Sequence, residues 1–261
     1  IYAAQGDYET ALAYLKQSLQ IRQQIGDKAG EGTTLNNISQ IFKARGDYET
    51  ALAYLKQSLQ IRQQIGDKAG EGTTLNNISQ IFQAQGDYET ALAYLKQSLQ
   101  IRQQIGDKAG EAATLGNIGT SYHAQGDYET ALAYLKQSLQ IRQQIGDIQG
   151  ESVTLNNISQ IFKAQGNYEL ALEYSKKDLA ICQKIGDKAG LCVTLFNLAH
   201  LYHQAGKKQA AMDSWVASYQ IAKAIGYAQV LQALASLAPS LGLPPGLEGW
   251  QRLAQRMKPE A

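Results

Sequence analysis

Proline is nearly missing from this chain: there are four, and none precedes Pro239. No helix upstream of that point has a proline to end it. Cysteine is scarcer still. Two residues, Cys182 and Cys192, cannot build a disulfide framework, which fits a reducing compartment and predicts a cytoplasmic protein. An excess of either charge is missing as well. The 24 basic and 23 acidic residues are interspersed and leave +1, so no basic footprint for nucleic acid exists. No apolar run approaches a membrane span, and no signal peptide is visible. An initiating Met is also absent, so the natural N-terminus need not be the one shown.

The groups that carry chemistry are equally sparse. The histidines are His123, His200 and His203, and no nucleophile–base constellation surrounds them. His200 and His203 stand at i, i+3, a spacing open to a metal. Cys192, on the same face, is eight residues from His200, about 12 Å of helical rise, whereas a closed site needs four ligands near 2 Å. No glycine-rich phosphate loop occurs, because the glycines recur at fixed turns. The sequence therefore predicts no enzyme activity, no metal and no cofactor. Cys182 and Cys192 flank the Gly186-Asp187 turn and read as two isolated buried thiols.

What is present is repetition. The stretch TLNNISQIFKARGDYETALAYLKQSLQIRQQIGDKAGEG, from Thr34, recurs every 40 residues, so that Asn37, Asn77, Asn117, Asn157 and Asn197 share one slot. Such a period marks a solenoid whose units stack on their neighbours. Before Gly46-Asp47, the residues Leu35, Ile38, Ile41 and Phe42 form one apolar helical face. After it, Tyr48, Leu52, Leu55 and Leu59 form one stripe, and Tyr54, Ser58, Ile61 and Ile65 a second. A helix with two buried stripes has neighbours on both sides. Each unit is thus a hairpin of a helix A and a helix B, with small Ser39 and Ala51 permitting close approach.

The run from Asn37 to Ala51 resembles the tetratricopeptide repeat. Leu35 stands where that family often has Trp, Ile38 and Ser39 match its Leu-Gly pair, and Phe42 matches its aromatic. Gly46 and Tyr48 match its turn, and Ala51 its small helix-B residue. The resemblance covers nearly all of residues 1–226. The unit departs in length, since the usual repeat has 34 residues and closes with Pro. The longer form is similar to the repeats of kinesin light chains, of the spindle-orientation protein rich in Leu-Gly-Asn repeats, and of many bacterial arrays. The resemblance implies an all-α, right-handed solenoid of antiparallel hairpins.

Within that frame the sequence predicts an array over 1–226 and capping helices over 227–261. Ile1 to Gly6 match Ile41 to Gly46, so the chain opens inside a repeat. The first B helix, near Tyr8 to Ile25, then has a flank seeking a partner, which leaves self-association through that end open. The A helices should start near Lys28, Lys68, Lys108, Ile148 and Lys188, each after a Gly-Asp in which Gly ends one helix and Asp caps the next. The B helices should start near Tyr48, Tyr88, Tyr128, Tyr168 and Lys208. Asp47 and Glu49 offset helix dipoles. Val230, Leu231, Leu234 and Leu237 mark a helix ended by Pro239, and Leu247, Trp250, Leu253, Ala254 and Met257 a final one. The last segment is read as the polar-faced cap that a solenoid needs, with a docking helix as the alternative. Trp215, in the Leu55 slot, should pack on that cap.

With Leu35, Ile38 and Phe42 buried, Thr33, Asn36, Asn37, Gln40 and Lys43 lie on the other side of helix A. In tetratricopeptide arrays that side lines the concave groove. The candidate peptide-binding residues are Asn36, Asn37, Gln40, Asn76, Asn77, Gln80, Gly116, Asn117, Asn156, Asn157, Gln160, Asn197 and His200. An Asn amide offers both donor and acceptor, so a ladder of them can hold an extended backbone; alternatively, each Asn bonds the preceding helix. Asn197 persists although its neighbours have become Phe196 and His200. The basic clamp of the chaperone-binding tetratricopeptide domains is absent at the Asn36 slot. Gly116, between Asn76 and Asn156 in the series, is expected to open a notch. Two functions are in view: a scaffold for a protein or extended peptide, or the sensory arm of a bacterial signalling ATPase or caspase-like protease.

Overall fold

The computed structural model describes residues 7–256. The readings on Ile1–Gly6 and on Met257 lie outside them. The chain divides into two compact units, 1–145 and 146–261. The first holds α1 (Tyr8–Gln24), α2 (Lys28–Ala44), α3 (Tyr48–Gln64), α4 (Lys68–Ala84), α5 (Tyr88–Gln104), α6 (Lys108–Ala124) and α7 (Tyr128–Ile145). The second holds α8 (Ile148–Ala164), α9 (Tyr168–Ile185), α10 (Lys188–Gln204), α11 (Lys208–Ile225), α12 (Ala228–Leu237), a 3-10 turn (Ala238–Leu241) and α13 (Glu248–Arg256). The protein is an all-α solenoid of stacked hairpins, with no strand among the described residues.

The boundaries follow from local chemistry. At the turn before α2, Gly26 adopts φ +73°, a left-handed conformation that glycine takes without steric cost. Asp27 then accepts from the Gly30 amide at 2.9 Å and caps the helix. The same pair of devices starts α4, where Asp67 accepts from Gly70 at 2.9 Å. Where the turn has lost its Asp, before α11, Lys207 makes no side-chain cap.

Each A helix packs most extensively on the B helix that follows it. Ile38, Ile78, Ile118 and Ile158 are fully buried in the successive A helices. Ser39 and Ala51 are fully buried where α2 and α3 meet. In the α6–α7 hairpin the approach is closer still: a Cβ on Gly119 would lie 2.7 Å from Leu135 Cγ and 3.1 Å from the Ala131 carbonyl oxygen. Stacked rings tie A to B in the hairpins α2–α3, α4–α5, α6–α7 and α8–α9, with Phe42 on Tyr54 and Phe82 on Tyr94 at 5.6 Å between centroids. Such pairs add about 0.5–1.5 kcal/mol to their area burial.

A second tie is polar. Ser58 Oγ donates to the Gly32 carbonyl at 2.8 Å, and Ser98 does the same to Gly72. The slot in the second apolar stripe of helix B is therefore a hydrogen-bonded staple rather than only a small residue.

In the second unit, Trp215 and Trp250 are both buried and meet edge to face at 6.2 Å. Trp250 Nε1 donates to the Leu234 carbonyl at 2.8 Å, so α13 is held on α12. Val230, Leu234, Ala238, Trp250 and Ala254 share one core with Val216 and Tyr219 of α11. Trp215 thus packs where the sequence placed it, against the last helices.

Candidate functional site: the face of the A helices

Three pairs of asparagines at the centres of the A helices bond one A helix to the next. Asn77 Nδ2 donates to Asn36 Oδ1 at 2.8 Å, and Asn117 Nδ2 to Asn76 Oδ1 at 2.9 Å. In the second unit Asn197 Nδ2 donates to Asn156 Oδ1 at 3.2 Å. The leading Asn of one A helix accepts from the second Asn of the next, so the pair fixes the stacking of A on A. Each donor still keeps its oxygen and one N–H. Asn36 is buried and Asn37 exposed, whereas Asn76, Asn77, Asn117, Asn156, Asn157 and Asn197 are half-buried.

Around the pairs lie the longer amides. Gln80 Oε1 accepts from Lys43 Nζ at 2.5 Å. Burial pushes the Lys43 ammonium below its ordinary value. Gln40 Nε2 and Gln160 Nε2 are buried donors with no hydrogen-bond partner. His200 stands edge-on to Trp215 at 5.2 Å and is half-buried. Desolvation holds its pKa below 6.5, and the charges of Lys163 and His203 add to that.

A Cβ on Gly116 would lie 3.6 Å from Ser138 Oγ of α7, an ordinary contact with the B helix of its own hairpin. Gly116 also lacks the amide acceptor that Asn36, Asn76 and Asn156 supply at this slot.

One set of residues escaped the sequence reading. Arg62 is 8% exposed and ties together three elements. Its guanidinium donates to Asp67 at 3.2 Å, its Nε to Ser58 Oγ at 3.3 Å, and its Nη2 to Thr33 Oγ1 at 3.5 Å. Arg102 repeats this with Asp107 and with Thr73 Oγ1, the latter at 2.6 Å. The signal was the series Arg22, Arg62, Arg102, Arg142, Cys182, Ala222 at a spacing of 40 residues. At the equivalent place in α9, Cys182 replaces the arginine and Asp178 the serine. Burial pushes the Cys182 thiol up, and Cys182 and Cys192 are both free and buried.

Among the described residues, no three His, Cys, Asp or Glu are grouped to hold a metal ion, and no helix is long and apolar enough to cross a membrane.

Paired helices stacked in this way, with a polar face along the A helices, define a helical-hairpin repeat protein of the interaction class. The tetratricopeptide repeat model matches residues 1–64, 70–144 and 151–224, and the chain belongs to the tetratricopeptide repeat family. Its fold is similar to BtubC (BKLC) from P. vanneervenii, with TM-score 0.75, 18% identity, and coverage of 84% of this chain and 92% of that one. It is also similar to a signal transduction ATPase with numerous domains that carries a tetratricopeptide repeat sensor, from Pyrococcus horikoshii. There the TM-score is 0.73 at 20% identity, over 93% of this chain and 37% of that one. A Rap protein complexed with competence and sporulation factor matches with TM-score 0.67 and 15% identity, over 98% of this chain and 71% of that one. No curated protein matches the chain in sequence. Tetratricopeptide repeats are protein-interaction modules, and the fold is generally a non-enzymatic scaffold.

Proposed function

We propose that this chain is a scaffold that binds an extended peptide or protein segment along the A-helix face. The observation that carries the reading is unspent hydrogen-bonding capacity on the polar side of the A helices in each unit. The paired amides of Asn77, Asn117 and Asn197 are held in place by one bond each and keep an oxygen and an N–H beyond it, and Asn37 stands exposed beside Asn36. A backbone offers alternating donors and acceptors, which is what such amides complement. The Rap protein in the complex above supports a peptide or protein as the class of partner. Neither nucleic acid nor membrane is in the reading, and the division into an array over 1–226 and a cap over 227–261 is part of it.

The test is selection of a displayed peptide library on the whole chain, followed by affinity measurement on the double variant Asn37→Ala, Gln40→Ala. Asn37 is exposed, so folding should be little changed. At least a tenfold loss of affinity is expected. Unchanged affinity for every selected peptide would move binding to another surface.

A second reading is the sensory arm of a larger signalling protein. It is favoured by the likeness to the ATPase with a tetratricopeptide sensor, which extends over 93% of this chain. An effector domain encoded beside this segment would support it.

A further inference from the structure

We infer that the second unit carries a cationic side-chain pocket, built where other repeats hold their own arginine, and that it receives an arginine of the protein partner. This rests on the proposed binding at the A-helix face and names one anchor of it. The cavity has a volume of about 350 Å³ and is bordered by Ser152, Asn156, Asp178, Asp187, Thr194 and Tyr227. That lies at the lower end of the range for ligand pockets, roughly 300–1,000 Å³.

The internal repeats show what the space is shaped for. Asp187 stands where Asp67 stands, Gly190 where Gly70 stands, Ser152 where Gly32 stands, and Asp178 where Ser58 stands. Around Arg62 those groups enclose a guanidinium. A Cβ on Gly70 would collide with Arg62 Nη1, and one on Gly32 would touch its Cγ and Nε at 3.5 Å. In the second unit the equivalent Gly190 faces Cys182 Sγ instead, at 3.0 Å from an added Cβ. A long cation has become a short thiol, and the vacated room opens beside Asn156.

Charge has moved with shape. Arginine to cysteine removes one positive charge, and serine to aspartate adds one negative charge. Asp178 is 2% exposed; it accepts from Ser152 Oγ and, at 2.6 Å, from Thr194 Oγ1. Hydroxyls satisfy its lone pairs but supply no counter-charge. Asp187 caps α10 through the Gly190 amide at 2.9 Å. Neither carboxylate forms an ion pair among the described residues, whereas Asp67 and Asp107 each hold an arginine. A buried carboxylate without a counter-ion is costly, and a guanidinium delivered by the partner relieves it. The planar fork suits two carboxylates better than a point-charge ammonium does.

The probe is N-acetyl-arginine methylamide, titrated into the whole chain and followed by amide chemical shifts at Gly190 and Val193. Saturable shifts are expected, with binding at least tenfold weaker for the neutral isostere N-acetyl-citrulline methylamide. Free arginine, whose α-carboxylate is repelled by the site, should also bind more weakly than the amide if the source is a peptide. Asp178→Ser restores the residue of the other repeats and should abolish the arginine preference. Cys182→Arg should fill the pocket, raise the melting temperature and block the probe. No saturable shift, equal binding of citrulline, or full binding to Cys182→Arg would overturn the inference. Peptide binding that survives these variants but is lost in Asn37→Ala, Gln40→Ala would sink the pocket alone and leave the wider reading intact.

Discussion

Asn77 Nδ2 donates to Asn36 Oδ1 at 2.8 Å, joining two residues 41 apart in the chain. The acceptor is only 9% exposed, so removing its donor leaves an orphan with little water to replace it. Asn77→Ala should therefore cost about 1–3 kcal/mol. Asn37→Ala, at the same slot but exposed, should cost under about 0.5 kcal/mol. Urea denaturation of the two variants checks this, and equal losses would show that the pair does not hold the stack.

Two glycines of α6 should respond in opposite directions. Gly119→Ala drives a Cβ to 2.7 Å from Leu135 Cγ and 3.1 Å from a backbone oxygen; overpacking of this kind costs about 1–3 kcal/mol. Gly116→Ala meets only Ser138 Oγ at 3.6 Å and should gain about 0.5–1 kcal/mol from reduced backbone entropy. Calorimetric melting should move down for the first and up for the second.

Asp67 does two jobs that substitution separates. Asn at this position keeps the cap on the Gly70 amide but loses the charge facing Arg62, while Ala loses both. Asp67→Ala should cost about 1–2 kcal/mol from the cap alone, and Asp67→Asn less. Hydrogen exchange in the first turn of α4 should accelerate only in Asp67→Ala. Acceleration in both would assign the helix start to the ion pair.

His200 predicts a pH dependence with a defined sign. Its folded pKa lies below 6.5 because burial, Lys163 and His203 disfavour the imidazolium. The unfolded chain therefore binds the proton more tightly. Its contribution to stability is complete above pH 6.5, declines as pH falls from there, and levels off below the folded value. The urea midpoint of His200→Gln should fall less than that of the natural chain between pH 7 and pH 5. Parallel profiles would mean that the ring is solvated.

Deleting residues 227–261 should uncover Trp215, Val216 and Tyr219, which share a core with α12 and α13. Light scattering should then report aggregation and a lowered melting temperature. A monomeric truncation with unchanged melting would make the segment a docking element.

The helix limits were legible because their causes are local. Asp27 reaches an amide three residues on, Gly26 needs only its own φ, and apolar spacing within one helix marks the face that packs. Gly119 occupies the slot of Ser39, which the repeat marks as small. The roles of Asn36, Gly116, Arg62 and Cys182 were not legible to that degree. Asn37-type residues suggested a surface ladder or a bond to the preceding helix, and the bond forms because stacking places Asn77 against Asn36. The pocket beside Asp178 exists because α8, α9 and α10 converge on a position where one arginine is missing. Composition and period fix hairpins through neighbours in sequence, but partners 26 to 41 residues apart meet only when one hairpin lies on the next, and it is there that these amides and carboxylates acquire their chemistry.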